Sequence, residues 1–403
     1  MTPPNSRPAR IALATRIFSP EPAAASARLT SWMSALADRR VFVSVFTTKP
    51  PTRFAQDIKD DKRIIVRRWP VLRDKTGYVR GALQYLSFDI PLFFRLLFAH
   101  RPDALVAEPP PTTGLIVWLV GTIRRIPVVY IACDVWTDAL RSTSVAPPVV
   151  RAMSLIEHWV LSRASAVITV SDVVGERVRE LGAKTVHIVP FGADLDVYKI
   201  TGPHASDAPT VPYFIYAGTA SELQGAEIFV DAFARLVESS PSVRLIFMGN
   251  GSAWDSIASK ARAAGIADRV ELLPFVPPAV LAEWLRGAVA SLASVKPGQG
   301  YDYMFATKVW ASLGCGTPVV YAGVGPAGAM IKDHDLGLVV DYSAEAIADA
   351  MRRMLATPGD EAESERLARY AAEHGSQVVT GRAAADAILS VVMNGGAATP
   401  PSP

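Results

Sequence analysis

The chain has 403 residues, half of them hydrophobic, and 41 basic residues nearly balance 38 acidic ones. This length predicts two domains, since globular domains usually contain ~100–200 residues each. A formal charge of +3 is too small to indicate a nucleic-acid-binding protein, and none is expected as a partner. The two cysteines, Cys133 and Cys315, lie apart in apolar runs, which argues against a disulfide framework or a zinc site.

Neither export nor a membrane span is expected from this sequence. The first ten residues lead directly into a strand-like run, and the most apolar windows are interrupted by charges or proline before ~18–20 apolar residues accumulate. With its unpaired cysteines, the chain is therefore expected to be cytoplasmic.

In the first half of the chain, short apolar runs alternate with longer helical patterns, which indicates βαβ units in a doubly wound parallel sheet. Strands are predicted at Ile11–Thr15, Val41–Thr47, Ile64–Arg67, Ala104–Ala107, Val128–Ala132, Ala166–Val170 and Val186–Val189. Helices are predicted at Ala25–Ala37, Tyr78–Ala99, Gly114–Arg124, Val149–Arg163 and Val173–Leu181. Residues 1–199 are thus predicted to form a Rossmann-like domain.

Residues 200–212 are rich in turn formers and predict a linker, after which a second alternating series begins. Its strands are predicted at Tyr213–Ala217, Arg244–Met248, Val270–Leu273, Ala290–Ala293, Pro318–Tyr321 and Gly337–Val340. Its helices are predicted at Ala226–Glu238, Trp254–Ala264, Ala279–Gly287, Lys308–Gly314 and Ala344–Leu355. Residues 213–375 are thus predicted to form a second Rossmann-like domain. A last helical stretch is interrupted near Gly375, and residues 394–403 are predicted to be disordered.

Loops that follow strands of the second domain contain the elements of a phosphate site. Gly218 would let a ligand approach the backbone, and Thr307 is predicted to cap a helix whose N-terminus and Lys308 attract an anion. In the alternative, Thr307 is only a cap and Lys308 is solvated. We favour a bound anion because a lysine in the first turn opposes the helix dipole.

Three further positions have two interpretations each. Asp134 ends a predicted strand, where it would orient a hydroxyl group of a substrate or cap the following turn. Asp302 would contact a ribose or serve as a turn residue. Gly249-Asn250-Gly251 would contribute to a phosphate or nucleoside site, but taken alone it is an ordinary turn.

The run from Thr307 to Val320 resembles the donor-site motif of glycosyltransferase family 4, particularly its bacterial cell-envelope branch. The landmarks that agree along nearly the whole chain are Phe18–Arg28, Cys133–Trp136, Val170–Asp172, Val189–Asp194 and Gly249–Gly251. The resemblance implies a GT-B fold, in which two Rossmann-like domains with parallel sheets face an interdomain cleft. It also implies that the C-terminal helix, about 376–393, packs back on the N-terminal domain.

The resemblance further assigns the site residues. Donor-binding residues are expected at Gly218, Thr219, Gln224, Gly249, Asn250, Gly251, Phe275, Asp302, Tyr303, Thr307 and Lys308. Acceptor-side residues are expected at Ala23, Ala24 and Arg28, and catalytic roles at Asp134 and Lys308.

The sequence also departs from the family pattern. Ala23 and Ala24 replace a Gly-Gly pair, Thr219 and Gln224 replace an Arg and a Lys, and Tyr303 and Ala311 replace paired glutamates.

The resemblance implies a retaining, hexosyltransferase-type enzyme that uses a nucleotide sugar as substrate, with no other cofactor and no obligatory metal. Its acceptor would be lipid-linked, a polysaccharide or a small molecule. The alternatives are a catalytically impaired GT-B subunit that binds a sugar nucleotide or a partner, and a sugar-nucleotide epimerase.

A peripheral contact with the cytoplasmic membrane is a further expectation. The stretch 73–101 interleaves basic and aromatic residues, among them Arg95, Arg101, Phe94 and Phe98. The alternative is a core helix whose arginines extend to solvent.

Overall fold

The computed structural model describes residues 7–21, 23–58, 60–74, 77, 79, 81–141, 145–299 and 302–395. It divides into two compact units, Met1–Phe191 with Val378–Pro403, and Gly192–Gln377. Both are built on parallel sheets, so the predicted fold class of two Rossmann-like domains is confirmed.

Over the described residues, the first unit contains a seven-stranded sheet in the order β3-β2-β1-β4-β5-β6-β7, with every neighbouring pair parallel. The strands are β1 (Arg10–Ala14), β2 (Phe42–Thr48), β3 (Ile64–Trp69), β4 (Ala104–Ala107), β5 (Val128–Ala132), β6 (Ala166–Thr169) and β7 (Val186–Ile188). The helices are α1 (Ala24–Asp38), α2 (Ala82–Leu97), α3 (Pro111–Arg124), α4 (Trp136–Arg141), α5 (Pro147–Arg163) and α6 (Asp172–Glu180), with a short 3-10 helix at Thr52–Asp57. Central strands such as β4 and β5 are buried throughout, as expected of a sheet covered on both faces.

Over its described residues, the second unit contains a six-stranded parallel sheet in the order β10-β9-β8-β11-β12-β13. Its strands are β8 (Tyr213–Thr219), β9 (Arg244–Asn250), β10 (Val270–Pro274), β11 (Ala290–Val295), β12 (Val319–Gly323) and β13 (Gly337–Val340). Its helices are α7 (Ile228–Val237), α8 (Trp254–Ala263), α9 (Pro278–Gly287), α10 (Lys308–Gly314), α11 (Pro326–Asp333), α12 (Ala344–Ala356) and α13 (Glu361–His374). Buried aromatic residues such as Phe229, Phe233 and Phe247 fill its core.

The chain's last helix, α14 (Gln377–Gly395), contributes to the core of the first unit. Ala384, Ala385 and Ile388 are fully buried there, and Arg39 of α1 forms an ion pair with Asp386. Among the described residues, no helix has both the length and the apolar character needed to cross a bilayer.

Two of the predicted boundaries are wrong. Residues 200–212 are not a free linker, because the second unit begins at Gly192. The guanidinium of Arg286 donates to the carbonyl oxygens of Lys199 (3.1 Å) and Pro203 (2.7 Å), which holds this segment on the second unit. At the other end, Asn394 and Gly395 complete α14 instead of belonging to a tail, and residues 396–403 lie outside the described residues.

Candidate functional site

The second unit has a topological switch point between β8 and β11. From β8 the chain continues toward β9 and β10 on one side, and from β11 it continues toward β12 and β13 on the other. Open parallel sheets bind ligands at the carboxyl ends of the strands at such a point. The two loops there are joined, since the Ser294 hydroxyl donates to the Gln224 carbonyl (2.7 Å) and the Lys296 amide donates to the Leu223 carbonyl (3.0 Å).

Lys308, the first residue of α10, extends its side chain into this switch point. Its Nζ is shielded from solvent and has no hydrogen-bond partner among the described residues. It lies 3.2 Å from the ring centroid of Tyr216 in β8. Burial lowers the pKa of this amine well below its usual value, and no carboxylate opposes that shift. Because a buried, unpaired ammonium is costly, this position favours a bound anion.

Gly218 lies beside the Lys308 ammonium. Its φ is +111°, and a Cβ at this position would lie 3.8 Å from Lys308 Cε and 3.9 Å from Nζ. No other atom of the described residues would come within 4 Å of that Cβ, apart from those of its chain neighbours. The backbone at Gly218 therefore borders open space next to the cation, where an anion has room to approach both.

One predicted role near Lys308 is wrong, and the donor contact predicted for Gln224 stays a prediction. Thr307 is not a side-chain cap, because its φ of −58° and ψ of −24° are already helical, whereas a capping residue has extended backbone geometry. The Gln224 side chain has partners of its own among the described residues. Its Oε1 accepts from the Ser221 amide (3.0 Å) and its Nε2 lies 3.9 Å from the Met304 sulfur, so the side chain shapes its own loop.

The Gly249-Asn250-Gly251 segment is not an ordinary turn. β9 continues to Asn250, and Gly249 and Asn250 pair with Gly218 and Thr219. A Cβ on Gly249 would overlap the Gly218 carbonyl oxygen. With φ values of +148° and +145°, Gly249 and Gly251 allow β9 to end against the Gly218 loop. The side chains of Thr219 and Asn250 are exposed at this edge.

The remaining donor-side positions contribute less to the Lys308 site. Asp302 has the bond expected of a turn residue, since its Oδ1 accepts from the Gly298 amide (3.2 Å) within the same loop, and its contact with a ribose stays a prediction. Phe275 follows the edge strand β10 and is 59% exposed. Tyr303 and Ala311, where the family has glutamates, are half-buried. Over the described residues, no three metal-ligating His, Cys, Asp or Glu side chains are grouped.

In the first unit, a charged cluster surrounds the switch point between β1 and β4. Arg28 of α1 donates to Glu108 Oε1 (3.1 Å), and the two side chains are only 10% and 7% exposed. Glu108 directly follows β4, and the Thr15 hydroxyl, directly after β1, donates to its other oxygen. Burial raises the Glu108 pKa, and the Arg28 charge opposes this shift. The cluster therefore holds one arginine and one carboxyl group at the carboxyl edge of the sheet.

Asp134 follows β5 at the same edge of the sheet, where the charges of Arg28 and Glu108 affect its pKa. Burial raises its pKa, the Arg28 charge lowers it, and the Glu108 charge raises it. The alternative role as a helix cap is wrong. The amides of Trp136 and Thr137, which begin α4, donate to the two carboxylate oxygens of Glu157 (2.8 Å each). Asp134 is thus placed as a carboxyl group beside a cation at the end of a central strand.

Cys133, Ala23 and Ala24, which belong to the predicted family landmarks of this unit, add no charged side chain to the cluster near neutral pH. Burial raises the pKa of the Cys133 thiol to about 12, so this side chain stays protonated near neutral pH. Ala23 and Ala24 form the start of α1, where the Ala23 carbonyl accepts from the Ala27 amide (3.1 Å). Neither alanine offers a polar side chain, so their contribution is limited to backbone groups.

Glu108 and Tyr216 were not predicted from the sequence. Glu108 carries a usable signal, since it directly follows a buried strand that ends at the ligand-binding edge. Tyr216 has no such signal, because it lies within a run of buried strand residues whose pattern indicates only core packing.

Two family models match this chain. The Glycosyl transferase 4-like domain matches residues 24–192, and the Glycosyl transferases group 1 model matches residues 211–357. A D-inositol 3-phosphate glycosyltransferase from Xylanimonas cellulosilytica is 29% identical over 277 residues, 63% of this chain and 63% of the relative. The chain therefore spans less than two thirds of that relative's length.

Solved structures of low sequence identity share the fold. Anabaena HepE in complex with UDP and glucose has a TM-score of 0.71 at 18% identity, covering 95% of this chain and 100% of that one. Sucrose-phosphate synthase from Thermosynechococcus elongatus has a TM-score of 0.70 at 18% identity, covering 96% and 98%. These similarities extend over both units.

Proposed function

The chain belongs to glycosyltransferase family 4, and we propose that it is a retaining, hexosyltransferase-type enzyme that transfers a sugar from a nucleotide-sugar donor. The observation that carries the proposal is the buried amine of Lys308 at the switch point of the second unit, which lacks a hydrogen-bond partner among the described residues. A diphosphate supplies the negative charge that this position favours.

The Lys308 site suits the leaving group of the reaction. When the bond between the sugar and the diphosphate breaks, negative charge develops on the departing phosphate oxygens. A fixed cation in a water-shielded position stabilises that charge without reorganising at the moment of transfer. The backbone of Gly218 borders the same space. We propose that Lys308 supplies the positive charge here, so that no metal ion is obligatory.

On the acceptor side, we propose that Asp134 orients the attacking hydroxyl group. Arg28 holds Glu108 in an ion pair. Burial raises the Asp134 pKa and the Arg28 charge opposes this shift, which favours the carboxylate form that accepts a hydrogen bond from a hydroxyl group. The anomeric configuration is retained without a protein nucleophile if this hydroxyl group attacks the anomeric carbon from the same side as the departing phosphate. The acceptor would be lipid-linked, a polysaccharide or a small molecule of cell-envelope synthesis in the bacterial cytoplasm.

A catalytically impaired, donor-binding protein is the second candidate. It is favoured by one observation: Tyr303 and Ala311 stand where the family has paired glutamates, and Asp302, the nearest carboxylate in sequence, is occupied in its own turn. Donor binding alone does not separate the two candidates, whereas turnover does.

Thermal unfolding with UDP-, GDP- and dTDP-sugars tests the proposal first. A ligand that binds only the folded chain stabilises it and so raises its melting temperature. At a ligand concentration a hundred times the dissociation constant, the gain in stability is about 2.7 kcal/mol. We expect one nucleotide class to stabilise the wild type and to act much less on Lys308→Met. Stabilisation without turnover against any acceptor class would favour the impaired protein, and no stabilisation by any sugar nucleotide would contradict both candidates.

A further inference from the structure

The outer surface of α2 in the first unit is apolar where a solvent-facing helix is normally polar. Leu83, Leu86, Ile90 and Phe94 recur at intervals of three or four residues, so they lie along one face of the helix. Each is at least half exposed, and Phe98, directly after the helix, is 81% exposed. The buried residues of α2, including Phe88, Leu92 and Leu96, lie on the opposite face.

Neighbouring elements extend this apolar surface. α2 packs on α3 and α3 packs on α5, which places the three helices side by side. Ile123 of α3 is exposed, Leu155 of α5 is 72% exposed, and Trp159 of α5 is 40% exposed. On the far side of α2, the exposed Trp69 of β3 contacts the Arg95 guanidinium, 5.4 Å from its ring centroid. We call the outer face of α2, α3 and α5 the apolar face.

The exposed charges on the three helices of the apolar face are all of one sign. Over these three helices, whose residues the structure describes, the two acidic residues are Asp89 and Glu157, and each is only 2% exposed. The exposed charged residues on these helices are Arg151 and Arg163 of α5, while the exposed Arg125 directly follows α3 and the exposed Arg101 lies in the loop between α2 and β4. Arg163 stacks on Trp159 (4.4 Å to the ring centroid), which places a cation at an exposed aromatic ring.

We propose that the apolar face binds the surface of an anionic phospholipid bilayer. Large exposed apolar patches mark interaction sites, and burial of their side chains among acyl chains removes apolar area from water. The arginines at the border would contact lipid phosphates, and the lack of exposed carboxylates avoids repulsion from an anionic surface. A protein partner or a second copy of this chain would not by itself account for three helices whose exposed charges are all positive.

Vesicle flotation tests this proposal without relying on catalysis. The full chain is mixed with vesicles of phosphatidylcholine alone or of equal parts phosphatidylcholine and phosphatidylglycerol, at low and high salt. We expect flotation with the phosphatidylglycerol vesicles, with weaker binding to phosphatidylcholine alone and at high salt. Leu86→Glu/Phe94→Glu should lower the partition coefficient at least about ten-fold. Arg101→Gln/Arg151→Gln should lower it about five-fold for each charge removed, on anionic vesicles only.

Met393→Glu is the matched control, because Met393 is 67% exposed on α14, outside the apolar face. It should float like the wild type. Circular dichroism and melting curves identify any variant that is misfolded, and the arginine variant, which leaves the apolar residues unchanged, then provides an independent test. Equal flotation of all four proteins, no flotation of the wild type, or a dimer in sedimentation equilibrium that Leu86→Glu/Phe94→Glu abolishes would overturn the proposal.

Discussion

Replacing Lys308 with methionine should separate ligand binding from fold stability. The side chain keeps its length and apolar stem, but the Nζ that lies over Tyr216 is lost. A hydrogen bond to a charged group contributes about 1.5–3 kcal/mol, so nucleoside diphosphate affinity should fall about 10- to 150-fold. The unliganded variant should be at least as stable as the wild type, because the removed group is buried without a hydrogen-bond partner among the described residues.

The pH dependence of Lys308→Met gives a second measure. Burial holds the pKa of Lys308 well below the ordinary value for a lysine, and a bound diphosphate should raise it again. Between these two pKa values binding takes up a proton, so wild-type affinity should fall as pH rises, whereas the variant should show no such dependence. Without ligand, the unfolded chain binds more protons at this site than the folded one, so wild-type stability relative to the variant should rise with pH up to the ordinary lysine pKa.

Titration calorimetry with UDP and GDP, repeated in buffers of different ionisation enthalpy, measures both the affinity and the proton uptake for the wild type and Lys308→Met. Equal affinities in the two proteins at every pH would refute the assignment of Lys308 to the anion site. A large fall in the melting temperature of the unliganded variant would refute the conclusion that its ammonium is uncompensated.

Three other substitutions test the rest of the site. Asp134→Asn should lower the transfer rate about 10- to 100-fold in steady-state kinetics while leaving nucleotide affinity within about two-fold, and a loss of affinity with normal transfer would contradict its acceptor-side role. Gly249→Ala should destabilise the chain by about 1–3 kcal/mol in denaturant titrations, because its φ is +148° and a Cβ overlaps the Gly218 carbonyl; an unchanged midpoint would contradict this packing. Glu108→Gln should leave the Arg28 guanidinium buried without its anion and reduce stability by about 3 kcal/mol, whereas a neutral effect in the same titrations would show that the pair is solvated.

Much of the fold was predictable because its strands are buried on both faces. Ala104–Ala107 and Val128–Ala132 are continuous apolar runs, and both were predicted with the observed bounds. Helix α4 was missed because its first amides bond to Glu157, a residue distant in the sequence. Helix α11 was missed because it is short and begins with Pro-Ala-Gly-Ala, which lacks a helical apolar pattern.

The candidate site was only partly predictable. Lys308 stood out because it lies at the start of a helix after a polar loop, which is local information. Its burial over Tyr216 depends on the pairing of β8 with β11, which no local pattern encodes. The same holds for Arg28, whose partner Glu108 is brought beside it only when β1 and β4 pair. Thr307 was predicted to cap from its residue type alone, whereas the cap depends on its backbone angles.

The most direct test of the central claim is the anomeric outcome of a transfer reaction. The wild-type chain is incubated with the nucleotide sugar that stabilises it and with hydroxyl acceptors, in the presence of a chelator, and the product is analysed by mass spectrometry and proton NMR. We predict a glycoside with the donor's anomeric configuration, formed without added metal and much more slowly by Lys308→Met. A product of inverted configuration, a strict metal requirement, or an equal rate for Lys308→Met would contradict the proposed mechanism.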